Sequence, residues 1–181
     1  MHAPAAFRRR LLDAMPRLRR YARSLEHDDD ACDDLVQQSL ERALLHWQQF
    51  DPQRDIVVWL LAIAHNAFMD AMRRESRLRS RPADGVDDDD TGTHREAPDP
   101  GLRLDLQSAL ASLPADMCEP LLLVCMEQLS YAEAAQVLNL PVGTVLSRVH
   151  RARVLLRAFL AGEGRRGPAT AGTAPALRRV V

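Results

Sequence analysis

Between Pro82 and Pro100 the chain offers a folded protein almost nothing to bury. That stretch reads PADGVDDDDTGTHREAPDP and sets seven acids against Arg95, a net charge of −6. A segment this poor in apolar groups and this self-repelling cannot offset its ordering entropy, so it reads as a disordered acidic linker. It divides the 181-residue chain into an N-terminal domain over residues 1–81 and a C-terminal one over 101–162. Residues 163–181, rich in Gly, Ala, Pro and Thr, read as a second disordered segment. Both folded parts fall in the small-domain range.

Helical spacing dominates each part, and strand alternation is absent. Leu11, Met15, Leu18, Ala22 and Leu25 define one face of a first helix. A second carries Val36, Leu40, Ala43 and Trp47, with Asp29 or Asp30 as its cap and acids in its first turn, where the helix dipole favours them. Phe50 to Asp55 is a turn, and Ile56, Leu60, Ile63 and Ala67 begin a third helix that runs into the basic stretch Arg73-Arg74-Glu75-Ser76-Arg77. The C-terminal part reads as four helices: Leu102 to Leu113, Asp116 to Gln128, a short one opened by Ser130 and Glu133 as a capping box, and a last one from Val142. Asn139-Leu140-Pro141 turns the chain between the last two, Asn being the non-glycine residue that best tolerates a left-handed helix end. The fold class is therefore all-α, two small helical domains on a flexible acidic linker.

Composition excludes several classes. Three cysteines, Cys32, Cys118 and Cys125, are too few and odd in number for a disulfide framework. No uninterrupted apolar run approaches the roughly 20 residues of a membrane helix, and Met1 to Arg10 lacks the apolar core of a signal peptide. A cytoplasmic protein without membrane insertion is expected. No phosphate loop, nucleophile elbow or carboxylate pair in a plausible pocket is evident, and the six histidines form no ligand-spaced pair with the cysteines. Neither enzyme activity, nor a cofactor, nor a metal is expected. All 24 basic residues are Arg; each is a planar fork suited to phosphate and guanine.

A short capped helix, a three-residue turn and a longer helix with a polar face form a helix-turn-helix, which places its second helix in the DNA major groove. On that helix Val142, Val145, Val149, Ala152, Leu156 and Phe159 share an apolar face, while Thr144, Ser147, Arg148 and Arg151 lie on another. Arg148 and Arg151 can neutralise phosphates or fork onto guanine; Thr144 and Ser147 can serve phosphate or base edges.

With these elements in order, the chain resembles the extracytoplasmic-function (ECF) sigma factors of bacterial RNA polymerase, over roughly residues 15–161. The matching stretches are Asp33-Asp34-Leu35-Val36-Gln37-Gln38, Phe50-Asp51-Pro52, and Trp59 to Asn66 with Asp70 and Arg73-Arg74 in step. In the second part they are Leu113-Pro114, Leu129 to Ala135, Pro141 to Val145, Ser147-Arg148 and His150 to Arg153. Within the family the pattern is most similar to the general-stress type.

The resemblance implies three partners: core RNA polymerase, promoter DNA and an anti-sigma factor. It implies that Asp33, Asp34, Leu35, Gln37 and Gln38 dock on the clamp helices of the polymerase large subunit, where acid and amide groups meet an Arg-rich surface. It implies that the Phe50–Asp55 turn with Asn66, Asp70, Arg73 and Arg74 melts and holds the downstream promoter element; capturing an extruded base needs amide groups and cations on the backbone. Asn66 can read a base edge, although the same amide is also an ordinary helix-surface group, and Trp59 is assigned to the core rather than to base stacking. Thr144, Leu146, Ser147, Arg148, His150 and Arg151 would face the upstream element. The linker carboxylates would either follow the polymerase's positive RNA path or act as a solubilising spacer.

Three departures from the family pattern weaken electrostatic grip without touching the fold. Leu146 stands where a basic residue is usual, so base reading would rest on apolar contact with thymine methyls or on its neighbours. Ile56-Val57-Val58 is wholly apolar where an Arg or Lys is common, and Gln38 replaces the usual acid. Two rival readings stay open at this point: a stand-alone helix-turn-helix regulator, and a sigma-like decoy that binds an anti-sigma factor. Cys118 and Cys125, seven residues apart on one helix, are read as small apolar side chains rather than sensing thiols.

Overall fold

The computed structural model describes residues 3–26, 28–79, 106 and 108–161. The linker assigned to 82–100 and the tail at 163–181 lie outside the described residues. All regular structure among the described residues is helical: α1 (Ala5–Leu25), α2 (Asp29–Leu45), a 3-10 turn (Trp47–Gln49), α3 (Ile56–Arg79), α4 (Ala115–Cys125), α5 (Tyr131–Leu138) and α6 (Val142–Leu160), with residues 106 and 108–111 also helical within the helix expected at Leu102–Leu113.

The first lobe is a three-helix bundle in which α1, α2 and α3 all touch one another. α1 buries Phe7, Leu11, Ala14, Leu18, Tyr21 and Ala22, a stripe at steps of four and three that extends the sequence-predicted face at its N-terminal end. Pro16 lies within α1 and is exposed. α2 is capped by Asp28, whose side chain accepts from the Ala31 amide at 2.9 Å; the cap falls one residue before the two expected aspartates, which instead occupy the first turn. α2 ends at Leu45, so Trp47 stands in the 3-10 turn rather than on the helix. Trp59 packs with Phe7 and Phe50 at ring centroid distances of 6.0 and 5.2 Å, in agreement with a core role. α3 is long and apolar enough between Ile56 and Arg77 to cross a bilayer by length and composition, but here its apolar side is core, with Leu60, Leu61, Ala64 and Ala67 almost fully buried.

In the second lobe the predicted capping box is present. Ser130 Oγ accepts from the Glu133 amide at 3.2 Å, and the Glu133 carboxylate accepts from the Ser130 amide at 2.8 Å. Asn139 ends α5 at φ 51°, in the left-handed region. The helix expected over Asp116–Gln128 stops at Cys125, because Gln128 takes φ 55° and the Leu129 amide turns back to Leu123 O at 3.1 Å. Val142, expected on the apolar face of α6, is exposed; Val145, Val149 and Ala152 are buried as expected.

The two lobes do not stand apart. α5 packs on α3, α4 packs on α1, and one apolar cluster runs from Phe7 through to Ala152. The apolar run Ile56-Val57-Val58 is buried in that cluster.

Candidate polymerase and promoter surfaces

α2 presents its polar residues along one flank. Asp33, Asp34 and Gln37 are exposed, at the helical steps that keep them together. Gln37 Nε2 donates to Glu41 Oε1 at 2.9 Å. Gln38 is half-buried, and Leu35 is 7% exposed and belongs to the core. The exposed polar flank is therefore narrower than the sequence motif: Leu35 lies in the core beneath it.

The turn after α2 is held from α1. Arg10 donates from Nη1 to Pro52 O and from Nη2 to Arg54 O, each at 3.0 Å, with its guanidinium 5.0 Å above the Phe50 ring. Asp51 Oδ1 accepts from the Gln53 amide at 3.0 Å, and the Arg54 amide closes the turn on Asp51 O at 3.0 Å. Asp55 then caps α3, accepting from the Val57 amide at 2.8 Å. Sequence reasoning missed Arg10; a lone Arg on an amphipathic helix carries no signal of a partner 42 residues away.

Along α3, Asn66, Asp70, Arg73 and Arg77 recur at steps of four, three and four, which puts them on one stripe. Asn66, Arg73, Arg74 and Arg77 are exposed. Asp70 is half-buried, with Oδ2 3.4 Å from Arg42 Nη1 and Oδ1 3.8 Å from Arg73 Nη1. Its carboxylate thus lies between a cation of α2 and one of the stripe. Arg42 was not foreseen.

On α6 the outward positions are Leu146, His150 and Arg151, all exposed, Leu146 by 51%. Thr144, Ser147 and Arg148 are half-buried at the margin of that face. Ser147 Oγ donates to Thr144 O at 2.9 Å, and Arg148 Nε lies 3.6 Å from Asp116 Oδ2 on α4. Arg153 ties the motif together, its guanidinium 3.4 Å from Tyr131 Oη and 3.6 Å from Cys125 Sγ. The leucine that replaces the family's usual cation thus sits at the exposed front of the helix. Burial pushes the thiols of Cys32 and Cys118 up, with Arg23 opposing it and nearby acids adding to it at Cys32 and Glu119 adding to it at Cys118, opposite to what a sensing thiolate needs.

Two family models match this chain, one described as the Sigma2 domain of PhyR over residues 11–65 and one as Sigma-70 region 4 over residues 103–156. The ECF RNA polymerase sigma factor EcfG of Rhodopseudomonas palustris is 38% identical over 157 residues, covering 85% of this chain and 84% of its own length. The chain belongs to the ECF sigma factor family. It is an RNA polymerase sigma factor, a subunit that directs core polymerase to promoters. The ECF sigma factor SigC of Mycobacterium tuberculosis is also 38% identical, over 136 residues that cover 72% of this chain and 71% of the relative. Among solved structures, the sigma factor RpoE in complex with the anti-sigma factor NepR from Bartonella quintana aligns at TM-score 0.77 with 32% identity, covering 87% of this chain and 98% of that one.

Proposed function

We propose that this ECF sigma factor divides its work between the two lobes as their exposed side chains divide. In residues 1–81, the α2 flank of Asp33, Asp34 and Gln37, steadied by Gln38 and by Leu35 beneath, docks on a basic helical surface of core polymerase. The turn held by Arg10 and the α3 stripe of Asn66, Arg73 and Arg74, arranged by Asp70, hold the melted downstream element. In residues 101–162, Arg151, His150 and Leu146 meet the upstream element as duplex, with Thr144, Ser147 and Arg148 on the margin contacting phosphate. The work is done by binding energy alone, with no covalent step, in the cytoplasm where polymerase and genome are.

The observation that carries this reading is the sorting of charge over one small fold: an acidic and amide flank on α2, and arginines on α3 and α6. Acid and amide groups suit an Arg-rich protein surface, and planar cations suit the phosphate backbone. Leu146 gives up one hydrogen bond to guanine, so the upstream preference is for steps that present a thymine methyl to it. An anti-sigma factor, of the kind bound to the Bartonella sigma factor, is the partner that withholds the chain from polymerase.

Run-off transcription with purified core polymerase tests the reading. A promoter-specific transcript dependent on this chain is expected. Binding to an anti-sigma factor with no transcript at any promoter would instead make the chain a decoy.

A further inference from the structure

One residue on the outward side of α6 carries no side chain, and nothing among the described residues requires that. Of the chain's eight glycines, only Gly143 falls within the described residues. It lies in the first turn of α6, exposed and with helical backbone. A Cβ built on it meets no atom within 4 Å among the described residues. Neither a left-handed turn nor a tight neighbour within the chain therefore excludes alanine. The reason left for glycine is the close approach of a partner to the backbone. Glycine in a helix also costs stability relative to alanine, because its backbone gives up more freedom on folding. Gly143 stands where the face assigned to DNA begins. Leu146, Ser147, His150 and Arg151 follow it at three, four, seven and eight residues, the steps that share one side of a helix. Val145 and Val149 are buried on the other side.

We propose that Gly143 is the point at which α6 seats against duplex DNA, a positioning residue whose missing side chain sets how deeply the helix enters the major groove. The inference rests on the reading of α6 as the upstream-element face. The occupant is DNA because α6 carries arginines at 148, 151, 153 and 157 and no acid, a balance that suits phosphate. A recognition helix presents its N-terminal residues to the base edges. A Cβ at position 143 would stand between that end of α6 and the groove, and would lift the helix away. Leu146 makes the depth matter. Its side chain is shorter than arginine, so its methyls touch a thymine methyl only from a closely seated helix. Such contact is steep in distance: a gap of roughly 0.5–1 Å forfeits a quarter to a half of it. Gly143 and Leu146 therefore act together, the first admitting the helix and the second using the depth.

The test uses holoenzyme assembled from the full-length chain and core polymerase, titrated with a duplex that the wild-type holoenzyme selects from a random-sequence pool. Gly143→Ala should weaken binding at least about tenfold. Its salt slope should stay the same, because no cation is lost. The free variant should unfold at or above the wild-type temperature, and its affinity for core polymerase should be unaltered. A second readout joins the two residues. Replacing the thymines of the upstream element one at a time by deoxyuridine removes one methyl each. One replacement should weaken wild-type binding roughly fourfold and leave Gly143→Ala unaffected, its leucine already lifted away. Unchanged DNA affinity in Gly143→Ala overturns the inference, as does a methyl penalty equal in the two proteins or a loss that falls on polymerase binding instead. Arg151→Ala separates the two levels. If it weakens DNA binding while Gly143→Ala does not, the inference alone fails; if it binds as wild type does, or if wild type selects no duplex, the reading of α6 fails with it.

Discussion

Asp70 on α3 reaches Arg42 on α2 at 3.4 Å, tying the helix proposed to dock on polymerase to the helix proposed to hold DNA. The same carboxylate lies 3.8 Å from Arg73. All three side chains are partly exposed, so water and salt screen the pairs and their contribution to stability is small. Their contribution is positional. Asp70→Asn should change unfolding free energy by less than about 1 kcal/mol. It should strengthen non-specific DNA binding, with a salt slope steeper by up to about one, because Arg42 and Arg73 are released toward phosphate. Titration of single-stranded DNA at several salt concentrations measures this; weaker binding would mean that Asp70 itself contacts the strand.

Arg10 anchors the Phe50–Asp55 turn through two carbonyls and an aromatic face. Arg10→Ala should lower unfolding free energy by about 1–3 kcal/mol, from two charge-assisted bonds and the cation–π contact. Promoter opening, followed by permanganate reactivity of unpaired thymines, should fall while affinity for core polymerase holds. Undiminished opening would remove the turn from the melting machinery.

The α6 arginines should not be equal. Arg151 is exposed, whereas Arg148 is half-buried and shares its charge with Asp116 at 3.6 Å. Arg151→Ala should weaken upstream-element binding and reduce its salt slope by about one, with a smaller effect for Arg148→Ala. Leu146→Arg should strengthen binding to sites carrying guanine at the facing step. Fluorescence anisotropy on duplex promoters ranks the three; equal losses at 148 and 151 would contradict the assigned geometry.

Two groups set the pH limits. The Ser130 hydroxyl and amide, bonding to the Glu133 carboxylate, lower its pKa below 4.5. A lowered folded value contributes stability above the unfolded pKa and loses it as pH falls through the folded one. The capping-box contribution should therefore fade below about pH 4.5, and Ser130→Ala should remove it, at a cost of about 0.5–2 kcal/mol at neutral pH. Tyr21 lies at the other extreme: burial first, then the Glu119 charge and hydrogen bond, raise its pKa well above 10. A raised folded value gives stability that is complete below the unfolded pKa and is lost as pH rises toward the folded one. Stability should hold to about pH 10 and fall beyond it, and Tyr21→Phe should flatten that alkaline limb. Denaturant unfolding across pH checks both arms.

Much of the fold was legible because local rules act within a few residues. The Leu11–Leu18–Ala22 stripe, the Ser130–Glu133 box and Asn139 each declare themselves over one or two helical turns. The motif residues of the site were legible as a set, but their exposure was not. Leu35 and Asp34 are adjacent in the motif, and only the bundle determines that one is core and the other surface. The long-range ion pairs were wholly hidden. Nothing near Arg17 or Arg20 points to Glu127, with which both pair from more than 100 residues away, nor does Glu127 advertise its burial. Those contacts exist because α4 packs on α1 and α5 on α3, a relation that periodicity within one helix cannot encode.

The decisive measurement is equilibrium titration of the full-length chain with core RNA polymerase, wild type against Asp33→Arg/Asp34→Arg. Both aspartates are exposed on α2, so the reversal should leave the fold intact. The account predicts saturable wild-type binding and an affinity loss of at least about tenfold in the variant, roughly 1.4 kcal/mol or more. Equal binding by the two proteins would contradict it.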